Sequence, residues 1–233
     1  MFYPRYYYFD PTYLVLLPAI IISLVAQIKV SSSYSKYSKM RNSRGITGIE
    51  AARRILYANG LGDVQIQVIS GNLSDHYDPT RRVLRLSGDV ANSTSIASIA
   101  VAAHECGHAI QHATGYSPLK LRSAIVPVAN IASSLSWVLL VMGIIFASDS
   151  LVTIGIVAFV GYVLFHVVTL PVEFNASSRA LAQIEGLGLS TADEIHHEKK
   201  MLSACALTYI SAAIMAVLQL LRLILIARSR DRD

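Results

Sequence analysis

The sequence predicts a mainly α-helical integral-membrane protein of about four spans with a small α+β insert on the cytoplasmic side. Two observations carry this. Of the 233 residues, 53% are hydrophobic and only 15% charged, against about 25% charged in an ordinary soluble domain. The deficit is gathered into four apolar runs of roughly 17–25 residues, the length a helix needs to cross a bilayer.

The runs extend from about Tyr13 to Ile28, Ile125 to Ala147, Leu151 to Leu170 and Ala204 to Ile226. Only Arg5 precedes the first, and no small-residue cleavage site follows it, so it reads as an uncleaved anchor. Asp149 and Ser150 make so short a connection that the second and third runs form an antiparallel hairpin. Lys36, Lys39, Arg41, Arg44, Arg53, Arg54, Lys120 and Arg122 lie between the first and second runs, which places that stretch in the cytoplasm and the N-terminus outside. Arg179, Lys199 and Lys200 return to the inside. A full fourth crossing would leave Arg228, Arg230 and Arg232 outside, and Arg222 falls within that run. The fourth segment therefore reads either as a crossing or as a helix packed on the others. The expected organisation is an anchor (1–30), a cytoplasmic α+β domain (31–122), a transmembrane hairpin (123–170), a connecting segment (171–203) and a C-terminal membrane helix with a basic tail (204–233).

Within the insert, Thr47-Gly48-Ile49-Glu50 is a capping box that opens a helix, with Ile49, Ala52, Ile55 and Leu56 on one face. Asn59-Gly60 tolerates the left-handed turn that ends it. Val64, Ile66 and Val68 alternate with Gln65 and Gln67, predicting a strand with one buried face. A polar loop, Gly71 to Arg81, leads to a second strand near Val83–Leu86. Ser93 or Thr94 then caps a helix through about Gln111. The net charge of +5 follows from the cytoplasmic bias of Lys and Arg, with no aromatic interleaving to suggest nucleic acid. Cys106 and Cys205 have apolar neighbours and read as small packing residues.

The chemistry sits in His104-Glu105-Cys106-Gly107-His108. Residues four apart on a helix differ by about 40° and one turn of rise, so both imidazoles can reach one ion at about 2.0–2.1 Å. Glu105 projects roughly 100° away, where it reaches a water without being a ligand. Two surface histidines and a solvated glutamate are the bland alternative. Apolar Ile99 to Ala103 before the motif and Ala109-Ile110 after it argue against that, because polar groups in a half-buried helix need partners. His112 continues the stripe as a supporting or surface residue. A third ligand is required, with the fourth position open. Glu173, directly after the third run and on the cytoplasmic side, is the candidate. His166, Asp75, Asp78 and Glu185 compete, the first inside an apolar span and the others as loop or surface charges.

Over nearly its whole length the chain resembles the bacterial membrane neutral zinc metallopeptidase family (YugP-type). The resemblance is carried by Phe9-Asp10-Pro11-Thr12-Tyr13, Ser74-Asp75-His76-Tyr77-Asp78-Pro79, Ala102 to His112, Pro118 to Ser123, Leu170-Pro171-Val172-Glu173-Phe174 and Ala206-Leu207-Thr208-Tyr209. It implies a gluzincin, distantly similar to HtpX and CAAX-prenyl proteases. His104, His108 and Glu173 would hold Zn2+ in a zincin-like insert. The expected setting is a multi-pass protein of the bacterial plasma membrane, with its active site facing the cytoplasm. Two positions depart from the family pattern Glu-Phe-Asp-Ala-Ser-Arg-Arg: Asn175 and Ser178 replace an acid and a base. An acid there could orient a ligating histidine, so its loss would weaken zinc binding or activity. Cys106 stands where Ala is usual and could perturb the metal.

The expected reaction is amide hydrolysis of protein or peptide substrates. Zinc activates water and polarises the carbonyl, and Glu105 moves the proton. Tyr209, His196, His197 or His76 would supply a further oxyanion donor. The strand near Val83–Leu86 could pair with an extended substrate or close the domain's own sheet. The alternative is a non-catalytic zinc-binding membrane scaffold or regulatory protein. A channel or transporter is disfavoured because His166 and Arg222 stand unpaired in their spans. No oligomeric state follows from the sequence.

Overall fold

The computed structural model describes residues 10–71 and 74–230; Arg5, Phe9 and Arg232, named above, lie outside them. Among the described residues there are seven α-helices and one three-stranded sheet. A 3-10 turn, Pro11–Leu16, leads into α1, Leu17–Tyr37. The Asp10 carboxylate caps the turn by accepting from the Thr12 amide at 2.9 Å.

The head follows. Helix α2, Gly48–Ala58, opens where expected, with Thr47 Oγ1 accepting from the Glu50 amide at 3.3 Å. Glu50 turns instead to Arg54, one helical turn on. Gly60 ends the element at φ +70°, a conformation that costs residues with a Cβ. Strand β1, Gln65–Ile69, pairs parallel to β3, Val83–Ser87; β2, His76–Asp78, pairs antiparallel to β3. The order β1-β3-β2 corrects one expectation and decides between two others. The polar loop contains a strand, and β3 is central, so its edges are already paired within the sheet. Val68 is 52% exposed, so β1 itself buries only Ile66 and Ile69, each by half, with Val64 buried just before it. A short helix α3, Gly88–Asn92, precedes α4, Ile96–Ala113. Ser95, rather than Ser93 or Thr94, caps α4: its hydroxyl accepts from the Ser98 amide at 3.1 Å.

The three remaining helices are longer than their apolar runs. They are α5, Ser117–Ile145, α6, Asp149–Gly186, and α7, Ala192–Arg230. At 38 residues, α6 is about 57 Å long, well beyond a hydrocarbon core of about 30 Å. Its excess, with the start of α7, enters the head: Ala180, Ile184, Leu189, Met201 and Leu202 share a core with Ile55, Leu84, Leu86 and Ile99. Residues 171–203 thus pack into the same core as the insert. Glu194 fixes the α6–α7 turn by accepting from the amides of Ser43 (2.6 Å) and Thr191 (2.8 Å).

Among the described residues, four helices are long and apolar enough to cross a membrane: Pro11–Tyr37, Ser117–Ile145, Asp149–Gly186 and Ala192–Ser229. Each leaves large apolar side chains exposed, among them Ile28, Ile131, Val157 and Val217, as a lipid-facing surface does. The α5–α6 hairpin is tight because Gly143 and Gly155 leave no Cβ between the helices. A Cβ on Gly143 would lie 2.6 Å from Val152 Cγ2, and one on Gly155 2.9 Å from Leu140 Cγ. Ser136 Oγ also donates to the Gly155 carbonyl at 2.8 Å. Such small-residue contacts let membrane helices approach closely.

Helix α7 lies antiparallel to α1, with Arg222 near Asp10 at one end and His197 near Tyr37 at the other. The fourth apolar segment is therefore one continuous helix alongside the first. Nor does Arg222 stand unpaired. Its guanidinium donates to Asp10 Oδ2 and Thr12 Oγ1, both at 3.1 Å, and lies 3.7 Å over the Tyr13 ring.

Candidate metal centre

Helix α4 is buried on most sides by Ile99, Ala102, Ala103, Cys106 and Ala109, leaving His104, Glu105 and His108 partly accessible on one edge. Against that edge lies α6. Gly107 sets the approach, because a Cβ there would sit 2.5 Å from the Ala176 carbonyl oxygen. Backbone contact at this point brings Glu173 over the two imidazoles. Its Oε2 lies 3.2 Å from His104 Nε2 and 3.6 Å from His108 Nε2. The three donor atoms fall within 4.8 Å of one another.

These separations suit a tetrahedral zinc. Donors held at about 2.0–2.1 Å from an ion at tetrahedral angles lie about 3.3 Å apart. The far side of each imidazole is also committed. His108 Nδ1 donates to Gln111 Oε1 at 3.0 Å, and His104 Nδ1 lies 3.1 Å from Ser177 Oγ, in hydrogen-bond contact. Both Nε2 atoms are thereby turned toward Glu173. Gln111 cannot flip, since its Nε2 donates to the Val172 carbonyl (2.7 Å) and to Asn175 Oδ1 (3.0 Å). Asn175 in turn accepts from Arg179 Nε at 2.8 Å. Arg122 holds the other oxygen of Glu173 at 3.2 Å, leaving one oxygen for a metal.

Burial raises the Glu105 pKa, opposed in part by the neighbouring imidazoles. Its Oε2 accepts from the Tyr77 amide of β2 at 3.0 Å. For His108, burial works to lower the pKa, but the hydrogen bond to Glu173 and the charges of Glu105 and Glu173 outweigh it, so the net direction is upward. Beside the histidine pair opens a cavity of about 230 Å³, lined by His104, Glu105, Asp75, Val30, Cys205 and Tyr209, among others.

The remaining candidates separate cleanly. Tyr209 lines the cavity. His196 does not: it precedes Tyr209 by thirteen positions on one unbroken helix, about 20 Å along the axis, and lines a different groove. His197 stacks on Tyr37, and His76 sits between the Ser74 carbonyl and Arg85. His166 packs between the rings of Tyr162 and Phe165 in α6. His112 contacts the Tyr77 hydroxyl at 2.9 Å. Asp75 accepts from the Ser87 amide and hydroxyl, and Asp78 pairs with Arg85. Cys106 faces α2, its thiol 3.7 Å from the Ala52 carbonyl, and burial pushes its pKa up; it packs away from the imidazoles. Glu173 follows the third apolar run, on the same unbroken helix α6. Gln111, Arg122, Ser177 and Tyr77 were not singled out by the sequence. Ser177 could have been, since it follows Glu173 by four positions on one helical face.

A family model described as "Putative neutral zinc metallopeptidase" matches residues 12–228. The chain belongs to that family, whose cofactor is zinc. It is 48% identical over 216 residues, 92% of this chain and 96% of the relative, to the "Putative membrane protease YugP" of Bacillus subtilis (strain 168). No solved structure matches it. The chain is accordingly a membrane-associated member of a zinc metalloprotease family.

Proposed function

We propose that the protein is a membrane-embedded zinc endopeptidase that hydrolyses protein or peptide substrates at the cytoplasmic membrane face. The observation that carries this reading is the tetrahedral spacing of His104, His108 and Glu173 beside a carboxylate, Glu105, that is outside the donor set yet lines the adjoining cavity. A purely structural zinc site closes all four positions with protein ligands and has no use for such a group.

In this reading His104 and His108 present Nε2, and Glu173 presents Oε2. Zinc bound there supplies a Lewis acid that acidifies water and polarises a carbonyl. Glu105 accepts the proton of the attacking water and delivers it to the departing amide nitrogen. The Tyr77 amide keeps its carboxylate aimed, and Tyr209 offers a hydroxyl to the developing oxyanion. Strand β2 lies at the sheet edge nearest α4, so it, rather than β3, is suited to pair with an extended peptide.

From Ser150 to Glu173 is 23 residues, about 35 Å of helix, which sets the centre close to one membrane surface. Lys36, Lys39, Arg41, Arg44, Arg53, Arg54, Lys120 and Arg122 belong to that side, supporting a cytoplasmic site. The test compares the wild-type protein with Glu105→Gln in detergent. Equal zinc content is expected, with cleavage of an unfolded protein at internal bonds lost in the variant and abolished in the wild type by a chelator. Equal residual cleavage would remove the mechanism. Zinc binding without cleavage in either would favour a scaffold.

A further inference from the structure

Helices α1 and α7 form a second concave site, away from the metal. Lys29, Ser33 and Tyr37 recur every four residues on α1, and His196, Lys199, Lys200, Ser203 and Leu207 lie along one side of α7. Together they enclose a groove of about 550 Å³. Among the described residues, Lys29, Lys199 and Lys200 form no ion pair with a carboxylate. None of the nearby acids lines the groove: Glu194 accepts from Ser43 and Thr191, Glu198 accepts from Ser190 through one oxygen, and Asp193 lies 3.8 Å from His197. Three lysines line one groove that no carboxylate lines, a charge pattern complementary to an anion.

We propose that this groove binds the phosphate headgroup of an anionic phospholipid. Its place beside exposed apolar helix surface selects a lipid over a soluble anion. Lys200 precedes Arg222 by 22 positions, about 33 Å of helix, and Lys29 follows Asp10 by 19. The Asp10–Arg222 pair and the lysine cluster are thus separated by about one hydrocarbon thickness, which sets the groove at headgroup level. Directly beside it toward the bilayer, Leu24, Val25 and Ile28 are exposed, and Leu207 continues the apolar wall on α7. An acyl chain can follow that wall while Lys29, Lys199 and Lys200 surround the phosphate, with the hydroxyls of Ser33 and Ser203 as further donors. Basic pockets between membrane helices recognise anionic headgroups in this way. A lipid seated there braces the two helices that also supply Val30, Cys205 and Tyr209 to the metal cavity.

The experiment uses the full-length, zinc-loaded protein in a neutral detergent. Thermal unfolding is followed with added phosphatidylglycerol, phosphatidylcholine or inorganic phosphate, and retained lipid is counted by native mass spectrometry. Phosphatidylglycerol is expected to raise Tm by roughly 5 °C at about a hundredfold above half-saturation, with one lipid retained. Neither phosphatidylcholine nor inorganic phosphate should do so. The variant Lys29→Gln/Lys199→Gln/Lys200→Gln should keep the lipid-free Tm and lose both responses. The equally neutralised Lys39→Gln/Arg53→Gln/Arg81→Gln should keep them. A response to inorganic phosphate equal to that of the lipid would overturn the proposal, as would an undiminished response in the first variant or an equal loss in the second.

Discussion

Arg122 and Glu173 meet at 3.2 Å, and this contact decides which carboxylate oxygen faces the imidazoles. Arg122→Gln should therefore weaken zinc binding about 10- to 100-fold, the usual range for a partner of a metal ligand, with helix content unchanged. Competition against a chromogenic chelator measures it; unaltered affinity would mean that Arg122 does not position the carboxylate. Asn175 acts one step further out, through Gln111, so Asn175→Asp should change zinc affinity by less than about tenfold. In sequence the intervening Gln111 cannot be seen, so the departure at Asn175 reads there as if it touched a ligand directly. The upward shift of His108 gives a pH dependence. In the metal-free protein the proton persists to higher pH than on a free histidine and must leave before zinc binds. Zinc affinity should accordingly rise with pH through that raised value, level off above it, and fall on acidification. Chelator titrations across the range would show this; a flat profile would contradict it. His104, Glu105 and His108 are legible because one helical turn fixes their geometry. Arg122 is not, because in sequence it serves equally well as a topological charge.

At the scale of elements, contact between α4 and α6 depends on Gly107. Alanine favours a helix over glycine by about 1 kcal/mol, yet a Cβ here would lie 2.5 Å from the Ala176 oxygen, and backbone cannot yield as a flexible side chain does. Gly107→Ala should part the helices, with overpacking costing about 1–3 kcal/mol, and lose zinc together with a lower Tm. Zinc content after dialysis and thermal unfolding check both, and retention of both would show that the helices slide apart freely. The identities of the long helices were readable from hydropathy, but their ends were not. A hydrophobic run stops where the bilayer stops, whereas a helix stops only where its backbone is broken. Pro171 marks the end of an apolar run in sequence, yet α6 carries on through it to Gly186. Proline removes one backbone donor, a cost that packing against neighbouring helices can absorb. The sheet was misread for a related reason. Three residues, His76–Asp78, are too few for a periodic signal, so the edge strand is hidden in a polar loop, and without it the place of Val83–Leu86 in the sheet stays open between substrate pairing and closing the sheet.

For the whole molecule, the antiparallel pairing of α1 and α7 predicts that the two termini share one side of the membrane and the Asn59-Gly60 turn lies on the other. An epitope fused after the C-terminus should be labelled in intact cells, and one inserted at that turn only after permeabilisation. The reverse pattern would place the metal centre outside. Helix α7 also has a bearing on biosynthesis. Every residue of the proposed donor set is translated by residue 173, but one wall of the adjoining cavity, with Cys205, Thr208 and Tyr209, emerges from the ribosome last. The cavity beside the proposed donor set is therefore completed only by the final helix, whose first turns also close the core around α4 and α6.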